Sequence, residues 1–120
     1  MNSAFKGEYI ACSAIYYPNN KEYMGQPQNI KSGIVVCGHR HFNCRIPLVN
    51  MFYPNWVEEK KLPMDEQPRL HVLRNEIQGF LTNTNRFVDR EEGREIAINA
   101  DQILESRLPL GKELFSEDIY

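Results

Sequence analysis

The hydrophobic pattern begins with Tyr9-Ile10-Ala11-Cys12-Ser13-Ala14-Ile15-Tyr16-Tyr17, rich in aromatic and branched side chains and closed by Pro18-Asn19-Asn20. A run of this kind bounded by turn formers predicts a strand, with Lys21-Glu22-Tyr23-Met24 as a returning hairpin partner. Beyond Gln26-Pro27-Gln28, Ile34-Val35-Val36-Cys37 is short and apolar enough to predict a strand central in the sheet. Asn43 predicts the cap of a helix running through Phe52, with Pro47 in the first turn, where a missing N–H is tolerated. Ile46, Val49 and Tyr53, with Leu48 and Phe52 beside them, would line its buried side, and Pro54-Asn55 would end it.

Residues 54 to 70 hold three prolines and the charge run Glu58-Glu59-Lys60-Lys61, which predicts an exposed connection. Leu70 to Arg74 predicts a short strand. Ile77 to Thr82 predicts a stronger one, followed by an Asn83-Thr84-Asn85 turn and a return through Arg86-Phe87-Val88. Asp89 with Glu92 three positions on reads as a capping box, and Ile96, Ala97, Ala100, Ile103 and Leu104 recur at helical spacing. Leu110 to Tyr120 shows no clear period. The sum predicts one α+β domain over residues 1–120, a small antiparallel sheet with two main helices.

Composition narrows the partners. A chain of 120 residues has room for one modest core, and 14 Lys+Arg against 16 Asp+Glu gives no general affinity for polymeric nucleic acid. Any anion must therefore be held by a local cluster. Cys12, Cys37 and Cys44 are too few and too unevenly placed for a disulfide framework, and no signal-peptide pattern opens the chain. No apolar stretch approaches the roughly 20 residues needed to cross a bilayer. The expectation is a reduced, soluble, cytosolic protein with no membrane partner.

Gly38-His39-Arg40-His41-Phe42-Asn43 concentrates the candidate chemistry. Cys37, His39, His41 and Cys44 are zinc-ligand types, but an extended chain would put Cys44 off the face shared by the others, and paired knuckle spacings are absent. Gly-His-x-His also ends a metallophosphoesterase motif, yet no earlier Asp and His clusters exist to hold two metals. Cys37 or Cys44 beside a histidine would need a third, orienting group that the sequence does not identify. A phosphate grip fits better: the free N–H groups of a helix start, with Arg40, His41 and Asn43 adding donors. Arg86-Phe87-Val88-Asp89-Arg90 repeats the arrangement at the second strand-to-helix junction, with Phe87 as a ring for a base. The expected ligand-binding set is thus Arg40, His41, Asn43, Arg86, Phe87 and Arg90, without metal or cofactor. Two alternatives remain: a small phosphoesterase or nucleotide hydrolase using His39 and His41, and a protein-interaction module using the acidic, aromatic residues 110 to 120.

The stretch from Gln78 to Glu92, then Ile96-Ala97, Gln102 and Leu114-Phe115-Ser116-Glu117-Asp118, resembles the Thoeris anti-defence proteins of the first type. These are small phage and prophage proteins that sequester immune signalling nucleotides. The likeness covers residues 78 to 118 and, more loosely, Ile34 to Asn43. It implies a non-enzymatic sponge in the host bacterial cytosol that captures glycocyclic ADP-ribose isomers made by TIR-domain enzymes and leaves them intact. It also implies a homo-oligomer, dimer or hexamer, with cyclic oligonucleotides as a second ligand class at separate sites. The long link between Phe52 and Leu70 departs from a minimal member.

Overall fold

In the computed structural model, which describes residues 7–52 and 74–120, the first apolar run forms β1 (Ile10–Tyr17). It pairs antiparallel with β2 (Ile34–Gly38) on one side and β3 (Ile77–Thr82) on the other; β4 (Phe87–Asp89) adds to β3, giving the order β2-β1-β3-β4. Two helices, α1 (His41–Phe52) and α2 (Arg90–Asn99), cover one face of the sheet. Ile15 and Tyr17 pack there against Cys44, Leu48 and Val49, and Phe80 and Val88 against Ala97 and Leu114. The expected α+β fold, with its antiparallel sheet and two helices, is the one the chain adopts.

Several local expectations are corrected. β2 lies at an edge of the sheet, not its centre. Its outer side is satisfied by a side chain, the Val35 N–H donating to Gln26 Oε1 at 2.7 Å. Lys21 to Met24 forms no strand, because β2 and β3 occupy both sides of β1; Met24 is fully exposed and the Lys21 carbonyl accepts from the Gly33 N–H at 2.8 Å.

α1 starts at His41, so Asn43 is not its cap. From the third position its Oδ1 reaches back to the Arg40 N–H at 3.0 Å, half of a capping box. Pro47 therefore falls in the helix interior, where its missing N–H removes the bond the Asn43 carbonyl would receive. The buried residues are His41, Cys44, Leu48 and Val49, with Phe52 packed beside them; Ile46 is only half-buried. The rest of that expected face, Tyr53, lies outside the described residues, as do the connection 54–70 and positions 70–73 of the expected strand. Arg74 is helical.

α2 begins where expected. Asp89 caps it, accepting from the Glu92 N–H at 2.8 Å. It stops at Asn99 because Asp101 turns left-handed (φ 57°), its N–H bonding to the Ile98 carbonyl at 3.1 Å and that of Gln102 to the Ala97 carbonyl at 2.9 Å. Ile103 and Leu104 thus lie past the helix, although Ile103 still packs on the Phe80 cluster. Among the described residues no helix is long and apolar enough to cross a membrane.

Candidate functional site

At the first strand-to-helix junction the turn from β2 into α1 is tight enough to require glycine. A Cβ on Gly38 would sit 2.9 Å from the Asn43 backbone carbon. That turn sends His39 and Arg40 in one direction, to Tyr120, and His41 in another, to Gly79. His41 is buried, its Nε2 donating to the Gly79 carbonyl at 2.8 Å and its ring edge-on to Phe80 at 5.4 Å. Burial pushes its pKa below the ordinary histidine value, the Gly79 bond partly offsets this, and nearby Arg90 lowers it further. The ring is therefore neutral near pH 7 and locked to the sheet.

Arg40 lies over the Tyr120 ring, 4.7 Å from its centroid, and its Nη2 donates to the Tyr120 O at 2.7 Å. Its Nη1 is 3.9 Å from Glu117 Oε1 and makes no hydrogen bond among the described residues. The Tyr120 hydroxyl also bonds Ser13 Oγ at 2.9 Å and donates to the His39 carbonyl, while the His39 ring packs against Tyr120 at 5.0 Å. His39 and His41 are thus separated, one exposed on Tyr120 and the other buried on Gly79.

The second junction repeats part of this. Arg90 lies over the Phe115 ring, 4.8 Å from its centroid, with Nη2 donating to Gln78 Oε1 and Nη1 3.8 Å from Glu113 Oε2. Its buried Nε makes no hydrogen bond among the described residues. Arg86 is arranged differently: it clamps Glu8 through Nε at 2.9 Å and Nη2 at 2.7 Å, and reaches Glu92 at 3.0 Å. The Arg86 bonds to Glu8, with those from the Thr84 and Thr82 hydroxyls, hold the Glu8 carboxyl at about 2, and the Glu8 and Glu92 bonds raise Arg86.

Phe87 belongs to the interior. It is 7% exposed and packs against Tyr16 at 5.7 Å; a Cβ on Gly79 would come within 2.7 Å of its Cζ. The Asn29 side chain closes the open edge of β4, accepting from the Phe87 N–H at 2.9 Å and donating to its carbonyl at 2.7 Å. The expected roles of Phe87 as a ring for a base and of Arg86 as a phosphate grip are therefore corrected: one ring is enclosed, and the other side chain is engaged by two carboxylates.

Arg40 and Arg90 both contact one segment, which the sequence marks only as an alternative protein-interaction surface, and His41 lies close enough to Arg90 to feel its charge. Residues 113–120 run between the two arginines and supply Glu113, Phe115, Glu117 and Tyr120. The segment runs through a short 3-10 turn, Ser116–Asp118, with Leu114, Ser116 and Asp118 buried and Phe115 and Glu117 exposed. The signal is masked in the sequence because two of the three buried positions are polar. Asp118 is satisfied by the Phe115 N–H at 2.8 Å and Arg107 Nε at 3.1 Å.

Beside Arg90 lies a cavity of about 450 Å³ lined by Glu76, Gln78, Asp89, Arg90, Glu91 and Glu113. Arg45 Nε engages Glu76 at 3.0 Å, which still leaves more carboxylate than cation around the space. A polyphosphate is disfavoured inside it, so Arg90 can meet an anion only on the side away from this cavity. The group Cys37, His39, His41 and Cys44 does not converge either. Cys44 is buried among the Ser13 and Arg40 carbonyls, and among the described residues no three potential ligands gather around one point.

No curated protein and no solved structure matches the chain at a significant level. The family described as the phage T4 y16D protein matches it over residues 9–120, from the start of β1 through the 113–120 segment that ties the junctions together. By that match, which takes in every element described above, the chain belongs to the phage T4 y16D protein family.

Proposed function

We propose that this phage protein is a non-enzymatic sponge that captures a cyclic nucleotide signal of the glycocyclic ADP-ribose class and holds it intact in the host cytosol. The observation that carries this reading is the pair Arg40 and Arg90. Each is stacked on a ring of one segment, faces a carboxylate beyond hydrogen-bond reach, and keeps one buried guanidinium nitrogen unpartnered among the described residues. A ligand with two phosphates and a base offers both the anionic oxygens and the flat face that such groups bind. Phe115 and Tyr120, 43% and 37% exposed, take the stacking role that enclosed Phe87 cannot. The first turn of α1, next to Arg40, carries no acidic residue to oppose an anion there.

Sequestration works by mass action, so tight binding suffices without a general base, metal or nucleophile. His41 serves in this reading as a positioning residue that fixes α1 to β3. Self-association into a dimer or hexamer would enlarge the binding surface.

The test is to incubate the protein with a cyclic ADP-ribose isomer, denature it by heat, and chromatograph the supernatant. Intact ligand, retained before heating and released after it, is the expected result, and Arg90→Ala should retain about tenfold less. A cleaved product would contradict the sponge and favour hydrolysis involving His39 or His41. Ligand that never binds would overturn the reading outright.

A further inference from the structure

We propose that Cys12 and Cys37 form a thiol–disulfide modification site on the sheet face opposite the helices, oxidised by hydrogen peroxide. The register places Ala14 opposite Cys37 and Ser13 opposite Gly38. Ser13 and Ile15 lie on the helix-covered face, so Cys12, Ala14 and Cys37 share the other one, with Cys12 diagonal to Cys37. The small Ala14 side chain, opposite Cys37 on that face, leaves the space between the two thiols open. Cys37 is exposed and Cys12 half-buried, while Cys44 is buried under α1 and bonded to two backbone carbonyls.

The two thiols are unequal. Their mutual interaction lowers the pKa of Cys37 and, with burial, raises that of Cys12. The difference in exposure assigns Cys37 as attacker and half-buried Cys12 as resolver. A disulfide needs Cα atoms within about 7 Å, close to the spacing of a diagonal pair. β2 is an edge strand, so a small shift toward β1 is resisted by fewer neighbours than a central strand would have.

In the first step the Cys37 thiolate attacks one peroxide oxygen. The S–O bond forms, the O–O bond breaks, and the leaving hydroxide takes a proton to become water. The Cys12 sulfur then attacks the Cys37 sulfenic acid. The S–S bond forms, the S–O bond breaks, and the departing hydroxide leaves as water with the Cys12 proton. One peroxide is reduced to two waters and two thiols are oxidised to one disulfide. The bridge would lie two residues before His39 in the chain, so it would tie β2 to β1 just ahead of the first junction.

The test treats the full folded chain with increasing hydrogen peroxide, blocks remaining thiols with an alkylating agent under native conditions, and maps peptides by mass spectrometry. The expected result is a Cys12–Cys37 cross-link with Cys44 reduced. Cys12→Ser should instead accumulate a sulfenic acid on Cys37 that a dimedone probe traps. Cys37→Ser should leave Cys12 at least about tenfold slower to react. Melting curves of the reduced variants establish that each is folded. A wild-type product that is cross-linked through Cys44, oxidised without a cross-link, or unreactive at Cys37 would overturn the proposal.

Discussion

At the start of α1 the flanking residue is Arg40, the first turn carries no carboxylate, and the side chains that turn back on the backbone, Asn43 and Cys44, are neutral or apolar. At the start of α2, Asp89 caps the helix and Glu91 and Glu92 follow within the first turn. Both junctions place arginines beside a helix start, but the second has already answered its helix dipole with carboxylates. Arg86 is likewise spent, holding Glu8 and Glu92. Arg90 escapes by turning away from the helix start toward Phe115. An arginine near a helix start is free for an anion only where local acids have not claimed it, and among the described acidic side chains Arg40 meets only Glu117, at 3.9 Å. By that criterion the proposed site draws on Arg40 at the first junction and on Arg90 alone at the second.

The sharpest way to break this comparison is to remove the arginine assigned to structure. Arg86→Ala leaves the partly buried Glu8 without its cation and should cost about 2–3 kcal/mol in denaturant unfolding, with ligand affinity unchanged. Acid reaches the same contact by another route. Glu8 is held at about 2 against an ordinary 4.5, so its contribution is complete above pH 4.5 and disappears as pH falls toward 2. In Arg86→Ala the loss of stability across that window should shrink. His41 acts at higher pH: its pKa is lowered, so its contribution is complete above 6.5 and is lost as pH falls through its depressed value. A Glu8→Gln variant with unchanged acid unfolding below pH 4.5 would remove the structural assignment of Arg86.

Arg40→Ala should do the opposite, weakening binding by tenfold or more, about 1.5–3 kcal/mol, with little change in melting temperature. Smaller effects sharpen the contrast between the helix starts. Asp89→Ala should cost about 1 kcal/mol of stability through loss of a true cap. Asn43→Ala, which removes only a reach-back bond, should cost about 0.5 kcal/mol. Equal losses would mean that the two starts are stabilised alike.

What could be read from sequence followed local chemistry. β1, β3 and the Asp89 cap depend on neighbours in the chain, and they lie where alternation and capping put them. Asn43 misled because Asn serves the helix start from either of two positions, and only the close approach of Gly38 to α1 decides between them. Phe87 looked available because a three-residue strand gives too little alternation to separate a core ring from a surface one. The partners that engage Arg86 and Phe87 are remote: Glu8 lies 78 residues from Arg86, and Asn29 lies 58 from Phe87. The Arg40 contact with Tyr120 spans 80 residues, so no window of local pattern contains it.

The central claim is that Arg40 faces the ligand and Arg86 does not. Its most direct test is calorimetric titration of one cyclic ADP-ribose isomer into the wild-type protein, Arg40→Ala and Arg86→Ala, at a temperature where all three are folded. The account predicts wild-type affinity for Arg86→Ala and at least a tenfold loss for Arg40→Ala. Equal losses in both, or full affinity in Arg40→Ala, would contradict it.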